Sequence, residues 1–222
     1  MCGRFAFYSP SEATAALFGA EFSESVLPRY NIAPTSYIAA IRKSNENSPE
    51  LAMFRWGLVP FWAKDPAIGN RMINARAETV AEKPSFRAAY RDRRCLILAD
   101  GFYEWHTEGG VKIPYFISLA SGEPFAFAGL WEHWQSKDSD ESLQTATIVT
   151  TAANDFLSQL HNRMPVVLDP ESGGHWLAGD MGMLEKAVAN SPDFRAWPVD
   201  RKVNNARNDT PDLIDAAGAA IS

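Results

Sequence analysis

The sequence predicts a single α+β domain whose core is a mixed, largely antiparallel sheet or a barrel, flanked by short helices. Three observations support this fold class. Strand-like segments outnumber helical segments and do not alternate regularly with them, which argues against a doubly wound fold. No repeat, low-complexity linker or change in composition marks a domain boundary within the 222 residues. A chain of this length can also bury a sizeable core without disulfides or metal. Residues 1–215 are therefore expected to form the domain, and residues 216–222 a disordered tail.

The amino-terminal elements follow from a short apolar run and the turn after it. Residues 4–8 (Arg-Phe-Ala-Phe-Tyr) predict a first strand, and the residues after them predict a short helix that ends near Phe18. Ser9 is expected to cap this helix, Pro10 to occupy its first turn and Glu12 to complete a capping box.

The remaining elements are read from residue type and periodicity. Runs bounded mostly by Gly, Pro or Asn predict further strands at Tyr37–Arg42, Leu51–Trp56, Arg94–Ala99, Tyr115–Leu119, Phe125–Leu130 and Thr145–Thr150. Helical spacing predicts helices at Ser85–Tyr90, Asn154–Leu160, Pro170–Leu177 and Met183–Ala189. The polar segments Ser44–Glu50 and Ser136–Ser142 are expected to be hairpin loops.

The charge pattern limits the classes of partner. A net charge of −6 argues against a protein that coats nucleic acid generally. Residues 64–94, however, hold eight basic and four acidic side chains, whereas residues 169–222 hold nine acidic and five basic ones. The basic stretch is either a solvated face with local ion pairs or the footprint of a polyanion. No apolar run reaches membrane-spanning length and no secretion signal is visible, so we expect a cytoplasmic protein.

Cysteine and histidine usage argues against disulfides, metals and cofactors. Cys2 and Cys95 are the only cysteines, and Cys95 lies within an apolar run that predicts a buried, inert thiol. The four histidines show no paired spacing typical of a metal site. There is no Gly-rich phosphate loop. We therefore expect neither a metal nor a cofactor.

Cys2 is the most informative residue. A small residue at position 2 permits removal of Met1, which leaves a chain that begins with a 1,2-aminothiol. The ordinary pKa values of an α-amine and a thiol, about 8 and 8.5, leave some of each group in its nucleophilic form near neutral pH. An aldehyde can form an imine with the amine, after which the sulfur closes a thiazolidine ring. The alternative is a chance cysteine in a frayed terminus, which its position directly before an apparent core strand disfavours.

Two hypotheses of different classes follow from a cysteine at this position. The opening Met-Cys-Gly resembles class II glutamine amidotransferases, in which an amino-terminal cysteine attacks the glutamine amide. Those chains continue with apolar residues after the Gly. Arg4 stands here instead, and its charge is better suited to a phosphate or carboxylate.

Several ordered motifs decide between the two hypotheses. They are Cys2-Gly3-Arg4-Phe5, Arg29–Pro34, Arg55–Trp62, Ile73–Thr79, Arg94–Trp105 and His161–Pro165. This set, which runs from Cys2 to about Leu213, resembles the SRAP (SOS-response-associated peptidase) family. The resemblance implies a protein that senses abasic sites in single-stranded DNA, in which Cys2 captures the ring-opened sugar as a thiazolidine crosslink. It also suggests AP-lyase activity and autoproteolytic removal of Met1, and leaves an amino-terminal-nucleophile amidohydrolase or peptidase as the alternative.

Three residues are expected to support Cys2 in this chemistry. Glu104 lies between two aromatic residues at the end of an apolar run, where a carboxyl group can act as a proton donor or shuttle. Read without the family, Glu104 could equally be a structural carboxylate that caps a turn. The resemblance gives His161 an acid/base or sugar-binding role, although a lone histidine after a helix is more often structural. Asn74 can orient the amine, thiol or sugar hydroxyl through its amide, or simply occupy a turn.

The remaining candidates are expected to hold DNA. Arg4, Arg76 and Arg163 each lie close in sequence to a proposed catalytic residue, so their guanidinium groups could bind phosphates. Phe61 and Trp62 are either part of a cleft wall or a stacking surface for a base that flanks the lesion. The resemblance adds Pro34 to the DNA-binding residues. The protein is expected to act as a monomer.

Overall fold

The computed structural model describes residues 2–22 and 25–221. Its strands are β1 (Phe5–Phe7), β2 (Arg29–Ile32), β3 (Tyr37–Lys43), β4 (Pro49–Trp56), β5 (Asn74–Arg76), β6 (Arg94–Ala99), β7 (Gly101–Glu108), β8 (Val111–Leu119), β9 (Phe125–Gln135), β10 (Ser142–Ala152), β11 (Arg163–Pro165), β12 (Val167–Leu168) and β13 (Phe194–Pro198). Its α-helices are α1 (Ser11–Leu17), α2 (Arg87–Asp92), α3 (Asp155–Ser158), α4 (Pro170–Ala178) and α5 (Met183–Ala189).

The larger of two sheets contains a closed barrel. Strands β10, β4, β3, β6 and β9 pair in that order, and β9 pairs back to β10. The pairing of β4 with β10 is parallel and the others in the ring are antiparallel. Closure leaves these strands without a free edge inside the ring. The short strands β5, β11 and β12 extend the sheet beyond the barrel.

The second sheet has the order β13-β8-β7-β1-β2 and packs against the barrel through β1. The ring of Phe5 lies edge-on to Trp56 of β4 and Phe127 of β9, with centroids 5.2 and 5.6 Å apart. These edge-to-face contacts are the favoured geometry for aromatic pairs. The first strand of the chain is therefore fixed between the two sheets.

The predicted fold class is confirmed: the structure is a mixed α+β fold with a barrel and a few short helices. The predicted bounds of β6 and α5 agree with those observed. The two polar loops do connect hairpins, between β3 and β4 and between β9 and β10. Burial of Cys95 is also confirmed, and this burial raises the pKa of its thiol.

Other local expectations were wrong. Helix α1 has Pro10 at its amino-terminal cap and no side-chain cap bond, so the predicted capping box does not form. Ser9 instead donates its hydroxyl to Asp100, which also accepts the amides of Tyr8 and Ser9. Ser9 does not cap the helix because its hydroxyl is bound to the buried carboxylate of Asp100. That carboxylate accepts three hydrogen bonds at the corner between β1 and β6.

The carboxyl-terminal segment also differs from the predicted disordered tail. Ala216 forms a bridge with Val199, and Ile221 forms one with Ala196. The amide of Ile221 donates to the carbonyl oxygen of Ala196 at 2.8 Å. Carbonyl groups at the edge of β13 thus give the amides of Ala217 and Ile221 hydrogen-bond partners that composition does not reveal.

The described helices are too short and too polar for any of them to traverse a bilayer.

Gly57, directly after β4, provides a stability test of the loop that follows. Its φ is +123°, and a Cβ placed there would lie 2.4 Å from the carbonyl oxygen of Gly69. Gly57→Ala should therefore lower the free energy of unfolding by about 3 kcal/mol, through backbone strain and overpacking. Gly109→Ala is the matched control, because its φ is +55° with no atom within 4 Å, and should lower it by only about 1 kcal/mol. Equal losses in urea denaturation would contradict the close approach of the two glycines.

Candidate active site around Cys2

Cys2 lies at the junction of the two sheets, immediately before β1, and is fully buried. In the antiparallel pairing of β1 with β7, Phe5 lies opposite Phe102. The amide of Tyr103 donates to the carbonyl oxygen of Arg4 at 2.9 Å, which continues the same register. Antiparallel pairing in this register carries the residues before β1 alongside Glu104.

The electrostatics of Cys2 agree with this placement. Burial, and then the charge of Glu104, raise the pKa of the Cys2 thiol. Glu104 itself is only 5% exposed and lies within β7. The thiol is therefore protonated at neutral pH, and a carboxylate lies close enough to affect its charge.

Asn74 holds the backbone of Cys2 from the barrel side. Strand β5 runs parallel to β10, with Asn74 opposite Ile148. The Nδ2 atom of Asn74 donates to the carbonyl oxygen of Cys2 at 2.8 Å. Its Oδ1 atom is buried and has no hydrogen-bond donor among the described residues. That oxygen can accept a hydrogen bond from an amine or a sugar hydroxyl.

His161 lies between α3 and β11 and is tied to the backbone of Arg163. The amide of Arg163 lies 3.0 Å from His161 Nδ1. Because an amide can only donate, Nδ1 accepts and the ring proton of neutral His161 lies on Nε2. Neutral His161 therefore presents an N–H donor at Nε2.

Arg163 is engaged within the protein. Its guanidinium donates to both carboxylate oxygens of Glu78, at 2.6 and 3.0 Å, and to the carbonyl oxygen of Thr150 at 2.7 Å. These bonds lower the pKa of Glu78 below its usual value. A phosphate would have to displace Glu78 to reach this side chain. The sequence had singled out Arg163 as a phosphate ligand but gave no sign of Glu78 as its partner.

Arg76, by contrast, is exposed on β5 and forms no ion pair with another described residue. It lies opposite Thr150 of β10, beside the pair formed by Glu78 and Arg163. Of the two arginines, Arg76 is the one whose donors are available to a phosphate.

Arg4 is oriented by a buried amide that the sequence analysis did not identify as functional. Its Nη1 atom donates to Asn31 Oδ1 at 2.7 Å and to the carbonyl oxygen of Val203 at 2.9 Å. Its guanidinium lies 5.8 Å from the centre of the Trp105 ring. Asn31 is fully buried, and its Nδ2 atom lies 3.2, 3.1 and 2.7 Å from the carbonyl oxygens of Val203, Asn205 and Asn208.

Asp209 completes this network from the carboxyl-terminal segment. Its carboxylate accepts the amides of Tyr30 and Asn31, at 2.5 and 2.9 Å, and the guanidinium of Arg29. These bonds cover the outer edge of β2. Asn31 was visible as part of a motif, whereas nothing in the local sequence marks Asp209 as its partner.

The predicted DNA-contacting loop lies on the surface. Phe61 is 56% exposed and Trp62 is 44% exposed. The loop is anchored on both sides, because Val59 donates its amide to Thr145 Oγ1 and Trp134 donates to the carbonyl oxygen of Ala63. Pro34 is half-buried in the turn between β2 and β3.

The structure thus brings Cys2, Asn74 and Glu104 together, and places His161 beside Arg163. Within residues 2–22 and 25–221, no group of three or more His, Cys, Asp or Glu side chains is arranged to hold a metal ion.

Comparisons with known proteins show what the chain resembles. Residues 1–206 match the family model "SOS response associated peptidase (SRAP)". The chain is 40% identical to the abasic site processing protein YoqW of Bacillus subtilis, over 97% of this chain and 100% of that protein. It is 32% identical to the abasic site processing protein YedK of Escherichia coli, over 96% and 99%. A crystal structure of a protein from Bacteroides thetaiotaomicron has a TM-score of 0.87 at 26% identity, over 97% of this chain and 100% of that one.

The Asn31 network generates a prediction about stability. Asn31→Ala should lower the free energy of unfolding by about 3 kcal/mol, because it leaves buried carbonyl groups and Arg4 without their partner. Asn190→Ala is the control, since exposed Asn190 makes a single side-chain bond, to the carbonyl oxygen of Lys186, and should cost less than about 1 kcal/mol. Urea denaturation measures both. A small loss in Asn31→Ala would show that water replaces the amide.

Proposed function

The chain belongs to the SOS response associated peptidase (SRAP) family, and from this premise we propose that it processes abasic sites in single-stranded DNA by forming a covalent crosslink through Cys2. The names of YoqW and YedK support abasic sites as the substrate. The observation that carries the proposal is the arrangement at Cys2: Asn74 holds its carbonyl oxygen, and burial followed by the charge of Glu104 raises the pKa of its thiol.

The first step is attack by the Cys2 α-amine, which becomes free once Met1 is removed. Met1 lies outside the described residues. The amine adds to the aldehyde carbon of the ring-opened sugar and gives a carbinolamine. Its hydroxyl then leaves as water after receiving a proton, and an imine remains. The amine acts first because the buried thiol holds its proton at neutral pH.

The second step is ring closure by sulfur. The Cys2 sulfur adds to the imine carbon, the thiol proton leaves, and the imine nitrogen gains a proton to become the amine of a thiazolidine. Glu104 is the proposed group that moves these protons, because its carboxyl group is buried and its charge acts on the thiol.

Asn74 and His161 are proposed to position the reacting groups. The buried Oδ1 atom of Asn74 can accept a hydrogen bond from the Cys2 amine, while its Nδ2 atom holds the Cys2 carbonyl oxygen. The fixed tautomer of neutral His161 makes its Nε2 atom a hydrogen-bond donor to the sugar.

We propose that single-stranded DNA binds across this site and that one copy of the protein binds it as a monomer. Arg76 supplies an available guanidinium for a phosphate, and Arg4 a second one that Asn31 orients. Exposed Phe61 and Trp62 offer faces on which bases stack, with Pro34 beside the path. Arg163 acts on the strand indirectly, by holding Glu78, unless phosphate displaces that carboxylate.

Two further activities belong to the same proposal. The imine can be resolved by β-elimination, which cleaves the strand and constitutes AP-lyase activity. Removal of Met1 by the protein itself would be an autoproteolytic activity. An amidohydrolase that uses Cys2 as its nucleophile is the alternative function, and it would release ammonia from glutamine without forming a DNA adduct.

Cys2→Ser separates the two nucleophilic atoms. Wild-type protein should lack Met1 by intact mass and form an adduct with an abasic single strand that survives denaturation without reductant. Cys2→Ser keeps the amine but closes the ring poorly, so borohydride should be needed to trap its adduct. Denaturing gel electrophoresis with and without borohydride measures both.

A form extended by one residue before Cys2 is the control, because its α-amine is displaced from the site. The extended form should give neither the stable adduct nor the adduct trapped by borohydride. A stable adduct in the extended form, or a reductant-independent adduct of full yield in Cys2→Ser, would identify another nucleophile such as Lys64.

Glu104→Gln tests the proton-transfer role. The substitution keeps shape and hydrogen bonding but removes the titratable group, so crosslinking should slow by about 10²–10⁴-fold while affinity for an intact single strand is retained. Single-turnover gel assays and fluorescence anisotropy measure the two quantities. Parallel losses of rate and affinity would make Glu104 a structural residue.

A further inference from the structure

Glu78, in the loop after β5, is an acidic residue among the arginines of the proposed DNA path. Its two carboxylate oxygens accept hydrogen bonds from the guanidinium of Arg163 at 2.6 and 3.0 Å. The hydrogen bond from Arg163, with a smaller contribution from the charge of Arg76, lowers the pKa of the Glu78 carboxyl group. Glu78 is therefore ionised at neutral pH, and its charge cancels that of one of the two arginines.

The two members of this ion pair differ in exposure. The side chain of Glu78 is 47% exposed, whereas that of Arg163 is only 16% exposed. Arg163 also donates to the carbonyl oxygen of Thr150 at 2.7 Å, which fixes its guanidinium against the barrel. The carboxylate is thus the outer member of the pair. A phosphate that approaches Arg163 from solvent meets Glu78 first.

The ion pair lies beside the residues proposed to act at Cys2. Glu78 follows Asn74 by four positions, and Arg163 follows His161 by two. Strand β5, which contains Asn74, and strand β11, which contains Arg163, both pair with β10. Asn74 in turn donates to the carbonyl oxygen of Cys2. A strand of DNA bound at Cys2 therefore lies close to this pair.

A phosphate and Glu78 compete for the same donors. Both are anions that can accept two parallel N–H bonds from one arginine. A strand that takes Arg163 from Glu78 therefore gains only the difference between the two interactions. The displaced carboxylate then lies near a phosphate of like charge, which reduces the gain further. Arg163 thus adds little to the affinity for DNA while Glu78 is ionised.

Weak non-covalent binding suits a protein that retains its substrate by a covalent bond. An undamaged strand offers the same phosphates as an abasic strand but no aldehyde, so phosphate contacts cannot distinguish the two. Undamaged sites are also in large excess, and each additional phosphate contact strengthens binding to them. A protein gains specificity by weakening contacts with the wrong partner as well as by strengthening contacts with the right one.

We infer that Glu78 is a specificity-determining residue: by occupying Arg163 it limits the non-covalent binding of undamaged strands, and retention of a strand then depends on the bond formed at Cys2. The inference rests on the proposed function for the identity of the strand and of that bond. Because Glu78 acts through Arg163, it is a positioning residue and not a catalytic one.

The test measures binding of a fluorescein-labelled, intact oligothymidylate by anisotropy. Glu78→Gln keeps the size of the side chain but removes its charge, so that Arg163 can bind a phosphate. One added phosphate contact should steepen the slope of log affinity against log salt by about 0.7, which corresponds to about five-fold tighter binding at about 0.1 M salt. Unchanged affinity and slope in Glu78→Gln would overturn the inference.

Two further variants show whether the effect passes through Arg163. Glu82→Gln is the matched control, because Glu82 is an exposed glutamate of the same segment and forms no ion pair with another described residue. It makes the same change in net charge and should tighten binding by less than about two-fold. The double variant Glu78→Gln/Arg163→Ala should return the affinity to within about two-fold of wild type. Equal gains in Glu78→Gln and Glu82→Gln, or a double variant that keeps the full gain, would refute the role of Arg163.

Crosslinking kinetics separate this role from a structural one. Glu78→Gln should lower by about five-fold the concentration of abasic strand that gives half the maximal crosslinking rate. The maximal rate should stay within about two-fold of wild type. At a subsaturating concentration of abasic strand, intact oligothymidylate should inhibit crosslinking by Glu78→Gln at about five-fold lower concentration than it inhibits wild type. A fall in the maximal rate without tighter binding would make Glu78 a structural support for Asn74 and would overturn the inference.

Failure of this inference and failure of the proposed function give different results. If wild-type protein crosslinks abasic DNA but Glu78→Gln binds the intact strand no more tightly, only the role of Glu78 is wrong. If wild-type protein forms no crosslink but Glu78→Gln binds the intact strand more tightly and with a steeper salt dependence, Glu78 does occupy Arg163 against phosphate and the chemistry at Cys2 is wrong.

Discussion

The position of the amino-terminal residues depends on the buried side-chain amide of Asn31. This amide accepts a hydrogen bond from Arg4 and donates toward three carbonyl groups in residues 203–208. It therefore joins the start of the chain to a segment 172 or more residues away. A buried amide is stable only when its donors and acceptor all find partners, so the network has one well-satisfied arrangement. A terminus that would otherwise fray is held between two sheets.

Strand β10 provides the second constraint, because it orders the other side of the site. It pairs in parallel with β5 and antiparallel with β11, and Thr150 lies opposite both Arg76 and Pro165. Because β5 and β11 both pair with β10, this strand sets where Asn74 and Arg163 lie relative to each other in space. The ion pair between Arg163 and Glu78 then links the strand β11 to the loop after β5.

Much of the barrel could be predicted from sequence, because its strands carry a local pattern of apolar residues. Arg94–Ala99 is a continuous apolar run, as a strand buried on both faces should be. Strand β7, in contrast, begins with Gly101 and ends in the polar residues His106, Thr107 and Glu108, so the local pattern does not predict a strand there. Strand β5 has only three residues, and its hydrogen bonds go to β10, more than seventy positions away. Such elements depend on partners that local periodicity cannot show.

The residues of the site divide in the same way into those that local sequence predicts and those that depend on distant partners. Cys2, Asn74 and Glu104 were singled out by residue type and motif, and the structure places them together. The partners that fix the arginines were not predicted, because Glu78 and Asp209 are ordinary acidic residues whose roles come from tertiary contacts. Sequence identifies groups that can react, whereas it does not show which of their donors are already in use.

In the proposed mechanism, the burial of Cys2 sets the order in which its two nucleophilic atoms react. A thiol whose pKa is raised by burial and by a neighbouring carboxylate is a poor first nucleophile, since the thiolate is the reactive form. In the proposed mechanism the Glu104 carboxylate becomes useful once a protonated imine is present, because that iminium is a stronger electrophile than the aldehyde and the carboxylate can accept the thiol proton. On this proposal, the raised pKa of the thiol suppresses its reaction with other electrophiles, and ring closure follows only after the amine has bound its aldehyde.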